Sequence, residues 1–159
     1  MPATIRRVRE SDVDTVVGMV HGLAEFEKAP QDCHLTAAQL RAALFGESPA
    51  LFGHIAEDRG EIVGFTLWFL NFSTWNGVHG IYLEDLYVNP EARGSGAGKA
   101  LMTELARLCV ERGYSRLEWS VLDWNPAVRF YRALGAVPMD EWSVYRLDGE
   151  PLRALAGTA

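Results

Sequence analysis

Two places in the 159-residue chain carry residue types and spacings suited to chemistry. The first is Arg93-Gly94-Ser95-Gly96-Ala97-Gly98-Lys99, three glycines alternating with small residues between two cations. Glycines let the chain turn so that successive N–H groups point at one anion, and a following helix adds the positive end of its dipole. Arg93 and Lys99 place full charges at the rim, so the loop suits a phosphate or pyrophosphate. The second is the pair Glu84-Asp85 inside Tyr82-Leu83-Glu84-Asp85-Leu86-Tyr87-Val88. In a regular strand Glu84 shares a face with Tyr82, Leu86 and Val88, and Asp85 shares one with Ile81, Leu83 and Tyr87. A carboxylate in an apolar row either has its pKa raised by desolvation or pairs with a cation. Both suit an amine site, because an alkylammonium of pKa ~10.4 must lose a proton before it can attack. An ion pair with Arg or Lys at a sheet edge is the plainer alternative.

Spacing separates the possible phosphate loops. A Walker A loop needs glycine at position 93 and Ser or Thr at position 100; the chain has Arg93 and Ala100. A dinucleotide fingerprint needs a third glycine where Lys99 or Leu101 stands, although Glu118, about 20 residues on, occupies the place of a ribose-binding acid. What fits is Arg-x-x-Gly-x-Gly, on Arg93, Gly96 and Gly98. A glycine-rich turn that merely starts a helix fits as well.

Strand signals cover residues 3–8, 51–57, 62–72, 80–88, 116–122 and 143–147. The second and third pair as a hairpin across Asp58-Arg59-Gly60-Glu61, and Thr74-Trp75-Asn76-Gly77 turns the chain into the fourth. Ser11 caps a helix running to about Glu27, with Val13, Val16, Val17, Val20, Leu23 and Ala24 inward. Residues 28–35 form a loop, and Thr36 caps a short helix through Leu40 and Leu44 to Gly46. The glycine loop opens a helix over 100–112 with Leu101, Leu105 and Leu108 on one face; helices over 125–134 and 150–155 follow. An antiparallel meander followed by a βαβ unit is an α/β protein with a central mixed, mostly antiparallel sheet flanked by helices.

The length predicts a single domain over 1–159, able to bury roughly 70% of its unfolded surface. No apolar run approaches the length of a membrane span, and the first residues lack a signal-peptide core, so a cytoplasmic protein with no membrane partner is expected. Cys33 and Cys109 show neither metal nor redox spacing; Cys109 falls beside Leu105 and Leu108 and reads as core. His21, His34, His54 and His79 make no metal-ligand pair, so no metal is expected. A net charge of −6 argues against a nucleic-acid partner and favours a cationic substrate.

The Arg93, Gly96, Gly98 pattern resembles the coenzyme A pyrophosphate loop of the GNAT superfamily of N-acetyltransferases. Residues 125–136, Asn-Pro-Ala-Val-Arg-Phe-Tyr-Arg-Ala-Leu-Gly-Ala, are similar to its second signature, Asn-x-x-Ala-x-x-x-Tyr-x-x-x-Gly. Counted from Asn125 the alanine position falls on Val128, while Ala127, Tyr131 and Gly135 keep the pattern's spacing to one another, so the chain is one residue shorter between Asn125 and Tyr131. Locally, Asn125 suits an N-cap, Pro126 a first helical position and Gly135 a stop; without the family, Tyr131 reads as a core aromatic. A narrower resemblance rests on residues 82–88, Ser73-Thr74-Trp75-Asn76-Gly77, Leu122-Asp123-Trp124-Asn125 and Leu23-Ala24-Glu25-Phe26-Glu27. These are similar to the diamine (spermidine/spermine) acetyltransferases, above all to the branch acting on thialysine and small amines. Ser73 stands where the polyamine enzymes carry an acid, which favours a shorter amine.

The resemblance implies the GNAT fold with a βαβ coenzyme-binding core, and acetyl-CoA as co-substrate. It implies a small primary amine as acceptor, direct attack in a ternary complex, and a homodimer. It assigns Glu84 as base, directly or through a water, Asp85 as amine-binding anion, and Tyr131 as the acid that protonates the leaving thiol. A backbone N–H near Tyr87 or Val88 serves the thioester carbonyl, and the main chain of Leu86, Tyr87 and Val88 receives the pantetheine amides like an added strand. Arg93, Gly94, Ser95, Gly96, Ala97, Gly98, Lys99, Asn125 and Tyr131 itself complete the coenzyme site. Trp75, Trp124 and Glu141 join the amine site, the tryptophans by apolar or cation–π contact, or else as ordinary half-buried aromatics. A protein acetyltransferase of the same fold and a non-catalytic acyl-CoA-binding module are the other readings. The acidic Glu84, Asp85, Asp123 and Glu141 suit a small cation better than a peptide, and the presence of both Glu84 and Tyr131 favours catalysis.

Overall fold

The apolar runs on either side of Asp58-Arg59-Gly60-Glu61 form the expected hairpin in the computed structural model, which describes residues 3–158; Met1, Pro2 and Ala159, the ends of the expected 1–159 domain, lie outside the described residues. Strand β2 (Phe52–Asp58) pairs antiparallel with β3 (Glu61–Ser73). Arg59 and Gly60, at φ 55° and 81°, give a two-residue turn whose positive φ at both positions matches the strand twist. β1 (Thr4–Arg7) pairs antiparallel with β2, and β4 (Val78–Val88) with β3. β5 (Leu117–Trp119) runs parallel to β4, so the sheet order is β1-β2-β3-β4-β5. This is the mixed, mostly antiparallel sheet expected, with one βαβ crossover.

Helix α1 (Val13–Phe26) and α2 (Ala37–Phe45) cover one face, where Val13, Val16, Leu40 and Leu44 pack on Ile55, Phe65 and Leu67. Helix α3 (Ala97–Arg112) covers the other, where Ala97 and Leu101 pack on Ala56 with Leu86 and Val88 beside them. Ile55 and Ala56 are neighbours on β2, and their alternation splits the core between the two faces. Thr36 caps α2 as expected, by a reciprocal box in which its Oγ1 accepts from Gln39 N at 3.2 Å and its own N–H donates to Gln39 Oε1 at 3.0 Å. At α1 the expectation fails. Asp12, not Ser11, holds the helix entry, because its buried carboxylate accepts from Arg9 N at 2.7 Å and from Arg6 at 2.8 Å twice. Arg6 therefore holds the Asp12 carboxyl below its ordinary range. Along α1, Val13, Val16 and Met19 are buried while Val17, Val20, Leu23 and Ala24 are half-buried.

His54 is a core residue: it is 2% exposed, its Nδ1 accepts from Trp68 Nε1 at 3.1 Å, and burial holds its pKa down to about 4. Cys109 is buried as expected, which pushes its thiol up. Glu118, the ribose-binding candidate, sits beside Tyr82 in the ladder, where it accepts from Asn71 Nδ2 at 3.2 Å and pairs with Arg116 at 3.8 Å. It serves the sheet there, six residues before the end of β4.

The chain divides into two compact units, Met1–Leu122 and Asp123–Ala159. The sheet and α1 to α3 belong to the first. The second holds α4 (Ala127–Ala133) and α5 (Gly149–Leu155), close to the helices expected. The strand expected at 143–147 does not form, and the last strand of the first unit is cut from 116–122 to three residues. Val144 and Tyr145 are 83% and 95% exposed, and among the described residues no strand pairs with 143–147.

Candidate active site

Strand β4 carries both the acidic pair and the edge that leads to the glycine loop, and its register against β3 changes inside the acidic pair. Leu67 lies opposite Asp85, but the next residue on β3, Trp68, lies opposite Leu83. Glu84 is the extra residue, a β-bulge. Phe65 and Leu67 pack on the α1–α2 side, so their partners Tyr87 and Asp85 stand on that side too. Leu83, opposite Trp68, faces the other way. The expected row of Ile81, Leu83, Asp85 and Tyr87 is thus broken in two, because the bulge resets the alternation at Glu84.

Asp85 is half-buried and Glu84 exposed. Burial first, then the negative charges of Glu84 and Glu27, pushes the Asp85 carboxyl up to about 7. Burial also raises Glu27, which terminates α1. Among the described residues no ion pair involves Glu84 or Asp85. The raised-pKa alternative therefore holds for Asp85, with the charges of Glu84 and Glu27 both acting on it. Glu27, expected only as the end of a helix, thus acts on the acidic pair. Its signal was electrostatic: an acid at a helix C-terminus opposes the dipole, so it costs stability unless something else requires it.

Beyond the bulge the sheet opens. β3 stays paired with β4 through Val88, whereas β5 pairs only with Ile81, Tyr82 and Leu83. From Glu84 to Val88 the other edge of β4 has no strand beside it among the described residues. The main-chain groups of Leu86, Tyr87 and Val88 on that edge can take an added extended ligand.

This edge runs straight into the glycine loop. Gly94 and Gly96 adopt φ 85° and 91°, and Gly96 is the left-handed N-cap of α3. A Cβ at either would meet nothing within 4 Å, so backbone conformation, not space, requires glycine. Gly98 and Lys99 follow in the first turn, whose N–H groups have no intrahelical acceptor. Ser95 Oγ accepts from Ala97 N at 3.4 Å. The Arg93 guanidinium lies over the rings of Phe26, at 5.1 Å, and Tyr87, at 6.0 Å.

Trp75 stands 89% exposed in the β3–β4 turn, which closes through Gly77 N to Ser73 O at 2.8 Å. Val78, where β4 begins, is seven positions before Asp85, roughly 23 Å at 3.3 Å per residue, so the sheet does not bring Trp75 to the carboxylates.

The second unit carries Trp124, Asn125, Tyr131 and Glu141. Asn125 is buried and its Oδ1 accepts from Ala127 N at 2.9 Å, which closes the turn into α4; the helix cap falls on Pro126, one residue later than expected. Tyr131 is half-buried on α4, its ring 5.4 Å from Phe130. Gly135, at φ 93°, ends the helix with Gly135 N on Arg132 O and Ala136 N on Tyr131 O, a Schellman closure. Trp124 and Glu141 are exposed. Among the described residues no three His, Cys, Asp or Glu side chains gather into a metal-binding group.

An antiparallel meander, an edge opened after a bulge, and a glycine loop starting the crossover helix define the N-acetyltransferase architecture. Residues 17–136 match the acetyltransferase (GNAT) family, and the chain belongs to that family. It is 39% identical over 165 residues to a thialysine N-epsilon-acetyltransferase of Bos taurus, covering 96% of each chain. It is also 39% identical over 95 residues to an L-ornithine N5-acetyltransferase of Arabidopsis thaliana, covering 59% of this chain and 42% of that one. Among solved structures it superposes on an integron cassette protein from the mobile metagenome of V. cholerae with a TM-score of 0.81 and 28% identity, covering 98% of both chains.

Proposed function

We propose that this N-acetyltransferase moves an acetyl group from acetyl-CoA to a small primary amine of the thialysine, ornithine or diamine kind, by direct attack in a ternary complex. The observation that carries this reading is the bulge at Glu84. It sets Asp85 beside Glu27 on the α1 face, at the point where the β4 edge opens toward the glycine loop. The gathered carboxylates repel one another, and a bound ammonium relieves that repulsion while drawing Asp85 into its ionised form. Glu84, exposed at the bulge, takes the amine's proton directly or through a water.

The coenzyme supplies an activated acetyl group as a thioester. Residues of this chain fit it: the open edge of Leu86, Tyr87 and Val88 for the pantetheine amides, and the main-chain N–H groups of the loop through Lys99 for the pyrophosphate. A backbone N–H at Tyr87 or Val88 stabilises the thioester oxygen as it gains charge. The Tyr131 hydroxyl gives the departing thiol its proton, and Asn125 shapes the turn that presents it. Trp124 and Glu141 are further amine contacts in this reading. Exposure of Trp142, Val144 and Tyr145 at 68%, 83% and 95% supports a homodimer that covers them. Two free cysteines, Cys33 and Cys109, support a cytoplasmic location.

The test is free-thiol release from acetyl-CoA across a panel of amines. Thialysine, ornithine, lysine and short diamines are expected to lead, with spermine behind them. A lysine peptide that outperforms every small amine would transfer the assignment to a protein acetyltransferase.

A further inference from the structure

Arg93 opens the glycine loop, yet its side chain reaches back to α1. The guanidinium carbon lies 5.1 Å from the centre of the Phe26 ring and 6.0 Å from that of Tyr87, and Nε donates to Val88 O at 3.2 Å. Phe26 is the last residue of α1, and Glu27 follows it. The helix end is a closed turn: Lys28 N donates to Glu25 O at 3.0 Å and Ala29 N to Ala24 O at 2.9 Å, with Lys28 at φ 64°. Tyr87 stands two residues from Asp85 on the same face, and its hydroxyl lies so close to α1 that a Cβ at Gly22 would come within 3.2 Å of it. Tyr87 is thus held between α1 and Arg93, with the Phe65 ring 6.2 Å away.

We infer that Arg93 is a positioning residue for the amine: through Phe26 and Tyr87 its side chain holds the end of α1, and Glu27 with it, beside Asp85. The inference rests on the amine-site reading proposed above. A guanidinium over two rings is favoured by their quadrupoles, and its planar fork keeps Nε on a carbonyl at the same time. Because the same residue begins the loop, ordering the loop around the coenzyme also orders the helix end. Coenzyme and amine therefore favour each other's binding by the same factor, as linkage requires.

Arg93→Ala, Arg93→Lys and Phe26→Leu test this in the full-length protein, with amine kinetics, calorimetric titration of acetyl-CoA, and hydrogen exchange over residues 22–29. Arg93→Ala is expected to raise the amine KM about fivefold, as exposed cation–π contacts warrant. Arg93 also belongs to the coenzyme loop, so its acetyl-CoA Kd rises as well, by less than about tenfold, whereas Phe26→Leu, outside the loop, keeps kcat and acetyl-CoA Kd within about threefold of wild type. Phe26→Leu reproduces the effect on the amine KM, the double variant is no worse than either single one, and Arg93→Lys falls between Ala and wild type. Exchange at the end of α1 quickens in Arg93→Ala. A tenfold or greater loss of acetyl-CoA affinity with an unchanged amine KM overturns the inference and gives the guanidinium to the coenzyme. So does unchanged exchange over 22–29. If the wild type releases no thiol with any small amine, the amine reading itself falls, and Arg93's role with it.

Discussion

Asp85 lies opposite Leu67 across the β3–β4 ladder, on the face covered by α1 and α2, with its carboxyl held near 7 by burial and by the charges of Glu84 and Glu27. An acid whose folded pKa is raised holds its proton in the folded chain between pH about 4 and 7, where the unfolded chain has lost it. Stability contributed by that proton is present at low pH and lost as pH rises through the window.

Asp85→Asn is therefore expected to stabilise the protein at pH 8, by up to about 4 kcal/mol at about 1.4 kcal/mol per pKa unit, and to leave it nearly unchanged at pH 4. Denaturant unfolding of both proteins at the two pH values checks this. A destabilised variant at pH 8 would mean that Asp85 is paired in the free protein.

The same variant should lose amine affinity. Asp85→Asn is expected to raise KM for the preferred amine by tenfold or more with a smaller change in kcat, because an ionised anion holds the ammonium in ground and transition states alike. In the wild type, kcat/KM should climb through pH 7 as Asp85 ionises. Glu84→Gln should instead lower kcat, most at the acidic end of the profile, and steady-state kinetics from pH 6 to 9 separates the two roles.

At the loop, Gly96→Glu should abolish acetyl-CoA binding by setting a carboxylate where the pyrophosphate binds. Gly96 stands at φ 91°, so any side chain there is strained. Gly96→Ala is the control for that strain, and it should retain measurable binding in calorimetric titration. Equal affinity in Gly96→Glu and Gly96→Ala would remove the loop from the coenzyme site.

Tyr131→Phe removes a hydroxyl and keeps the ring against Phe130. Turnover should fall on the order of 10²–10⁴-fold, with acetyl-CoA affinity unchanged. A rate within about threefold of wild type would make Tyr131 a packing residue.

A last prediction concerns assembly. Light scattering is expected to give a dimer for the wild type, and Val144→Asp with Tyr145→Asp to give a monomer, since charge on the apolar residues of 142–147 opposes their burial against a second copy. A wild-type monomer at micromolar concentration would contradict the dimer.

The order of elements was legible in the sequence because it rests on local signals. Alternation marked β2 to β4, Arg59-Gly60 marked their turn, and Thr36 with Gln39 marked α2. The glycine loop was equally plain, since Gly94 and Gly96 occupy conformations that only glycine takes without strain. Three things were decided by tertiary structure. The bulge at Glu84 arises from the pairing of β4 with β3, and no residue type announces it, so the face of Asp85 could not be read from alternation alone. The entry to α1 went to Asp12 because Arg6, on a different element, supplies a buried partner that Ser11 lacks. Residues 143–147 have strand composition but form no strand, because β-structure needs a neighbour to pair with and none lies beside them among the described residues. Local propensity thus set what each segment could be, and long-range pairing set which face each functional side chain meets.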